Sequence, residues 1–507
     1  MNLHTSVFFR LIKLGVESYK FTPPHAIPPP SLPHGPDQEI VPVPTLGPMG
    51  RVLKKDEDEP VRPKILKTII RLNNRLNPIK DSNKQWASVE SGKQTIGAIF
   101  GNYFPKARVD WNGFDPAGDK ALRWWVFSGF GALELRRVEE KEAQAEQVGG
   151  RFPYFVSSYE FLNSLPVREG LEPYGGAVYL DKQGEIIKIK LRGKDFFPSD
   201  GKAWEVAKFA YRSTSLVWVT IYHHLFFSHY SVSNSGVLAT IQTLPVDNPL
   251  RLLLKPFLFR TTAINNGGVD SLLPKGSSVH RAAGFTWAGM EEAYTLMLRK
   301  VALKPLPDLL RERGVDGASL SALPDDIFPF GRDSELYWRS LEGFTSGIFQ
   351  NAPVFRNIEK NDAVKAWWAN MCQALNFSPK DLSTDQLSDF LTQFFFTVSA
   401  FHSWVGHVTP YIIDPSIAAG KLFPDATMAD QQSSTELGVI TSITGLPTPS
   451  LLGDFSHLMP DAYTRGRLSN FQNDLLEVGR TIQQRNSVRD IPLRAFLPEE
   501  LNLSVAI

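Results

Sequence analysis

Two apolar stretches of the chain each carry histidines five residues apart. The first, Leu216 to His229, holds His223, His224 and His229 among bulky apolar side chains. The second, Val398 to His407, holds His402 and His407. The chain has only ten histidines, so two such pairs in apolar settings need a reason. Imidazole suits iron, zinc, copper and nickel, and a mixed imidazole and carboxylate site with open positions suits non-haem iron. The alternative is a set of core histidines satisfied by ordinary hydrogen bonds. Neither stretch contains Asp or Glu, so a carboxylate ligand has to come from elsewhere. One source is the main-chain carboxylate of Ile507, at the end of the apolar run Asn502 to Ile507. Burying that charge is costly unless it is paired or metal-bound. The alternative is an apolar tail on the surface with its carboxylate in water.

The spacing constrains the helices that carry these residues. In an ideal α-helix, residues five apart are rotated by about 140° and do not share a face. A π-bulge, one widened turn, brings them together. If His224 and His229 bind one metal, their helix is predicted to be locally widened. The first stretch is too short for a bilayer, which takes about 20 residues, and reads as a buried core helix.

The elements around these stretches are mostly helical. Helical spacing covers Ile65 to Leu76, Trp111 to Arg137 with a break at Gly129, Glu139 to Gln147, Trp204 to Tyr230, and Glu291 to Leu303. It continues over Asp333 to Glu359 with a break at Pro353, Asp362 to Leu375, Asp385 to His407, and the amphipathic run Arg465 to Asn486. One β-hairpin is predicted, Ala177 to Asp181 and Ile186 to Leu191 around Lys182-Gln-Gly184. Residues 1–62 are rich in Pro and read as an extended arm. Residues 63–507 read as one large, mainly α domain without internal repeats.

Composition narrows the function classes. The chain has 507 residues, 42% hydrophobic and 21% charged, as in ordinary globular proteins. A net charge of +1 gives no footprint for nucleic acid. The single cysteine, Cys372, excludes internal disulfides and cysteine-based metal clusters. With 11 Trp and 34 Phe, wide apolar interiors are expected. No apolar run reaches 18 residues, so no membrane span is expected. Met1 to Lys20 is not a clean secretory signal. A cytoplasmic protein is expected, with peripheral membrane contact through an amphipathic N-terminus as the alternative.

Several motifs together resemble the lipoxygenase family. Trp204-Glu-Val-Ala-Lys208 is similar to the family's Trp-x-x-Ala-Lys run, and His224-x-x-x-x-His229 to its first ligand pair. Ala239-Thr240, Asn248 to Pro256, Leu306 to Gly314, Asp326 to Glu335 and Trp367-Trp368 resemble further segments. Ser399-Ala-Phe-His402, Arg485-Asn486 and Ile507 complete the order, so the resemblance covers roughly Trp204 to Ile507. It implies a helical lipoxygenase-type catalytic domain, in the short form without the N-terminal β-sandwich lipid-binding domain. It implies non-haem iron, or manganese as in some members, held by His224, His229, His402 and the Ile507 carboxylate. No catalytic side chain is implied beyond the hydroxide that the metal carries. The implied reaction removes hydrogen from a polyunsaturated fatty acid and adds O2 to give a lipid hydroperoxide, carried out by a monomer. Asn265-Asn-Gly-Gly268 resembles the segment that biases stereochemistry, which places Gly268 in the substrate pocket and leans toward R-type oxygenation.

This chain departs from the pattern at one ligand position. Four residues after His402, where the family has Asn, His or Ser, stands Gly406. His407 is the candidate substitute if the helix widens there; otherwise water fills the position. Asn248 and Phe257 stand where the family often has His, though neither is a ligand position. Two alternatives follow. One is altered chemistry, such as hydroperoxide isomerisation or cleavage, or oxidation of a polyene that is not a fatty acid. The other is a metal-free relative that binds lipid.

Overall fold

The computed structural model describes residues 81–101, 104–105, 109–261, 264–265, 268, 272–377, 381–444 and 449–505. It also describes residue 79 and two short strands, Lys20–Phe21 and Pro60–Val61, which pair antiparallel. The rest of the expected arm over 1–62, and the expected helix Ile65 to Leu76, lie outside the described residues.

The described chain is dominated by helices: α1 (Val89–Phe100), α2 (Asp119–Phe127), α3 (Lys202–Trp218), α4 (Asn234–Thr243) and α5 (Trp287–Lys300). Then come α6 (Pro329–Asn351), α7 (Asp362–Ala374), α8 (Thr384–Phe396), α9 (His402–Val405), α10 (Gln431–Thr444) and α11 (Ala462–Asn486). Helix α1 falls in a stretch of mixed sequence that carried no helical prediction. Gly129 ends α2 as expected, and the chain continues as a 3-10 turn, Phe130–Glu134. Most core residues form one continuous apolar cluster.

The hairpin forms, but as the centre of something larger. Five antiparallel strands run in chain order: β1 (Leu135–Arg137), β2 (Phe155–Ser158), β3 (Ala177–Leu180), β4 (Ile186–Leu191) and β5 (Lys194–Phe196). Strand β4 alternates as a half-buried strand should. Ile187, Ile189 and Leu191 enter the core, while Lys188 and Lys190 point to the other face. Lys188 is nevertheless buried, and Glu146 (2.7 Å) and Asp195 (2.8 Å) neutralise it. Strands β1 and β5 are too short for periodicity to reveal, and β2 is buried at three successive positions.

Helix α3 is buried on nearly every side, including its polar residues Lys208, Arg212, Ser213, Thr214 and Ser215. It passes without a break into a π-helix, Val219–Ser233, and then into α4. Helix α8 likewise passes through a π-segment, Thr397–Phe401, into α9. The widening predicted for the His224–His229 stretch is therefore present. Hydroxyls line it: Ser228 Oγ donates to the His223 carbonyl (2.7 Å) and Ser231 Oγ to the Phe226 carbonyl (2.9 Å), each five residues back.

A buried ion cluster ties the outer helices together. Asp333 on α6 has no exposed side-chain surface. It accepts from Arg485 Nη1 of α11 (2.7 Å) and from Arg489 Nη1 and Nη2 (2.7 and 3.1 Å). Asn486 Oδ1 accepts from Arg489 Nη1 and from the Leu493 amide, both at 2.9 Å. Removing one member of a buried pair leaves an uncompensated charge. Asp333→Ala is expected to lower stability by about 3–5 kcal/mol, read as a fall in the urea unfolding midpoint.

Candidate metal centre

The two widened helices aim three imidazoles at one point. His224 Nε2 lies 3.2 Å from His402 Nε2 and 3.2 Å from His229 Nε2, and His402 Nε2 lies 3.0 Å from His229 Nε2. All three residues are buried. His224 and His229 share a face because the π-helix runs through both; the second widened segment, Thr397–Phe401, precedes His402.

One side chain orients the cluster from outside. Asn265 Nδ2 donates to the His229 carbonyl at 2.8 Å, which turns its Oδ1 toward the ring. His229 Nδ1 then donates to Asn265 Oδ1 at 2.9 Å, leaving the Nε2 lone pair directed at the other two rings. Locking a ligand's tautomer through its second nitrogen is a common device around metals. No local pattern marks Asn265 as a partner of His229, 36 positions away.

Burial keeps these imidazoles neutral. It pushes His229 down to about 4, partly offset by the bond to Asn265. Burial, and then the neighbouring His229, hold His224 well below its ordinary value. Burial followed by both other imidazoles does the same to His402. His402 Nδ1 has no hydrogen-bond partner among the described residues. The donor set fits a metal ion. Nitrogens bound at about 2.0–2.1 Å to one ion, with bond angles between 90° and 109°, lie about 2.8–3.4 Å apart, which brackets the observed separations. Three neutral nitrogens facing each other in an apolar interior need a cation or protons between them, and burial opposes protons.

The remaining expected site residues are placed as follows. Gly406 caps α9, and a Cβ built there would lie 2.9 Å from His224 Nε2. Helix α9 ends at Val405, and the widening lies upstream of His402 rather than at Gly406. His407 is buried beyond the helix end and is not among the converging imidazoles. Gly268 is buried against Tyr230, whose hydroxyl lies 2.2 Å from where a Cβ would stand. Asn248 caps the short helix Pro249–Leu254 through the Leu250 amide, and Phe257 stacks on Phe395. Ile507 lies outside the described residues. The tail before it is buried through Val505 and is anchored beside the cluster, where the Asn502 amide donates to Ser403 Oγ at 2.7 Å. A small apolar cavity of about 50 Å³ touches His224, Gly406, Leu225, Leu272 and Val408. Among the described residues, no helix is long and apolar enough to cross a membrane.

No protein-family profile matches the chain. It is 24% identical over 418 residues to the polyunsaturated fatty acid lipoxygenase ALOX12 of Mus musculus, covering 73% of this chain and 61% of that one. It is 25% identical over 348 residues to the linoleate 9/13-lipoxygenase of Pseudomonas aeruginosa, covering 60% and 48%. It is 22% identical over 397 residues to the hydroperoxide isomerase ALOXE3 of Homo sapiens, covering 70% and 55%. The matches thus span about half to three-fifths of these relatives. Among solved structures, a calcium-dependent 11R-lipoxygenase superposes with a TM-score of 0.72 at 19% identity, covering 99% of this chain and 80% of that one. An anaerobic crystal structure of a lipoxygenase in complex with arachidonate gives 0.70 at 16% identity, covering 100% and 82%. The relatives that the sequence matches are lipoxygenases, and the chain has the helical fold seen in lipoxygenase structures.

Proposed function

We propose that the chain is a non-haem iron dioxygenase that converts a polyunsaturated fatty acid and O2 into a lipid hydroperoxide. The observation that carries this reading is the closure of three buried, neutral imidazole nitrogens to within 3.2 Å of one another in an apolar interior. His224, His229 and His402 are the proposed side-chain ligands. The carboxylate of Ile507 is the proposed fourth donor, supported by the burial and anchoring of the tail beside Ser403. Iron held there supplies the one-electron redox chemistry that hydrogen removal from a CH2 between two double bonds requires.

The chain's own residues position the reaction. Leu225, Leu272 and Val408 line apolar space at His224, where a hydrocarbon segment is held and water is excluded. Asn265 keeps the His229 ring in the metal-binding tautomer. Gly268, packed on Tyr230, is the proposed residue that biases the face of oxygen addition.

A second reading rests on Gly406. With no side chain there, and with His407 outside the cluster, the metal would lack a fourth side-chain ligand. Ligand identity tunes a metal's reactivity, so this reading keeps the centre and changes the reaction to hydroperoxide isomerisation. Similarity to a hydroperoxide isomerase is consistent with it.

The proposal predicts about one iron per chain and conjugated-diene absorbance on linoleate, with both lost when Ile507 is deleted. Bound iron without dienes, and isomerised products from an added fatty-acid hydroperoxide, would select the second reading. Asn265→Leu is expected to weaken metal affinity by about 10–100-fold, measured by competition with a chelator. Acid should destabilise the metal-free protein. Unfolded histidines take up protons below about 6.5, whereas native His229 resists until about 4. The unfolded state therefore binds more protons in that window, and stability falls as pH drops through it. Urea midpoints that stay flat between those pH values would contradict burial of neutral imidazoles.

A further inference from the structure

A second cavity lies away from the converging imidazoles. Its volume is about 340 Å³, and none of His224, His229 and His402 lines it. Ligand pockets commonly measure roughly 300–1,000 Å³. It lies along the other face of the π-helix: Tyr222, His223 and Phe227 border it, whereas Thr220, Ile221, His224 and Leu225 border the small cavity.

The body of this second cavity is aromatic, built from Phe227, Phe328, Phe330, Phe396 and Phe401. Its charged part holds Glu134, His223, Lys300 and Arg313. His223 Nε2 stands 3.5 Å from Glu134 Oε1. Burial acts to raise the Glu134 carboxyl, but His223, Arg313 and, to a smaller extent, Lys300 outweigh it and hold the group below its ordinary value, as an anion. Arg313 also donates to the Leu133 carbonyl. Lys304, on the same rim, is paired with Glu312 at 2.7 Å. Lys300 differs from these. It has no carboxylate partner among the described residues, and its Nζ rests over the Phe161 ring, 4.3 Å from the centroid. The Tyr222 hydroxyl donates to the Lys300 carbonyl at 2.9 Å, which fixes the backbone beneath this cation.

We infer that this cavity is a second ligand site, which takes an amphipathic monocarboxylate with its headgroup on Lys300 and its hydrocarbon among the phenylalanine rings. With Lys304 paired to Glu312, the two cations Lys300 and Arg313 exceed the single anion Glu134 by one charge, which calls for one negative charge, and the apolar wall calls for an apolar tail. Occupancy would brace both ligand-bearing helices from behind, since His223 adjoins His224, and Thr397 and Phe401 lie in the widened turn before His402. The inference does not depend on the dioxygenase reading, because no proposed metal ligand lines the cavity.

The test is calorimetric titration of the full chain with decanoate, a saturated carboxylate that has no oxidisable CH2 between double bonds. Binding is expected. Lys300→Glu is expected to weaken it about ten-fold or more. Leu309→Trp, which fills the cavity from its wall, is expected to abolish it. Val408→Phe, which fills the small cavity beside His224, is expected to leave it intact. Each variant is compared at matched far-UV circular dichroism and melting temperature. Unchanged affinity in Lys300→Glu or Leu309→Trp, loss of binding in Val408→Phe, or no binding of decanoate overturns the inference. Because the readout is heat rather than oxygenation, any of these outcomes leaves the dioxygenase proposal to be judged by its own test.

Discussion

Three imidazoles must reach one point from two helices, and ordinary helical geometry forbids it for the pair on a single helix. Residues five apart diverge by about 140° on an α-helix. The chain meets this by running fifteen residues, Val219–Ser233, as a π-helix in mid-core. Such a stretch is rare, because its hydrogen bonds are less favourable than those of an α-helix. Hydroxyls compensate, since Ser228 and Ser231 reach carbonyls five residues behind them. The flanks matter as much: α3 and α4 continue the same rod at either end and bury it in the apolar core.

The apolar surroundings then set the electrostatics. Burial keeps His224, His229 and His402 neutral, so their lone pairs remain available to a cation. Asn265 decides which nitrogen of His229 faces inward. Gly406 sits where a Cβ would press on His224 Nε2, so the end of α9 leaves space beside the ring instead of filling it. Ser403, next to His402, accepts from the Asn502 amide, so the C-terminal tail and the helix that carries His402 are mechanically joined.

The two cavities border opposite faces of this one π-helix. One face presents His224 and apolar side chains; the other presents His223, whose Nε2 stands 3.5 Å from the Glu134 carboxylate. Adjacent histidines thus do different work. His224 enters the imidazole cluster, while His223 supports a charged rim that includes Arg313 and Lys300. The outer frame is held independently, by Asp333 with Arg485 and Arg489 and by the lysine-lined face of β4.

The helical character of the chain, the hairpin at Ala177 to Leu191, the three converging histidines and the widened turn were all legible in the sequence. The helices, the hairpin and the widened turn follow from local periodicity or from the fixed angle per residue in a helix, whereas grouping His402 with His224 and His229 rested on the resemblance of the motifs to a known family. Residue types also marked Gly406 as a departure. The strands flanking the hairpin were not legible: two have only three residues, and Phe155–Ser158 is buried at three successive positions and lacks a turn signal joining it to a neighbouring strand. Nor was the pairing of Asn265 with His229, since it joins residues whose separation in the chain carries no pattern. The position of His407 outside the cluster depended on where the helix stopped, at Val405, and on the widening falling before His402 instead of after it. The division of His223 and His224 between two cavities also required the tertiary structure. Neighbours on a helix point in different directions, and only packing against other elements decides what each direction meets.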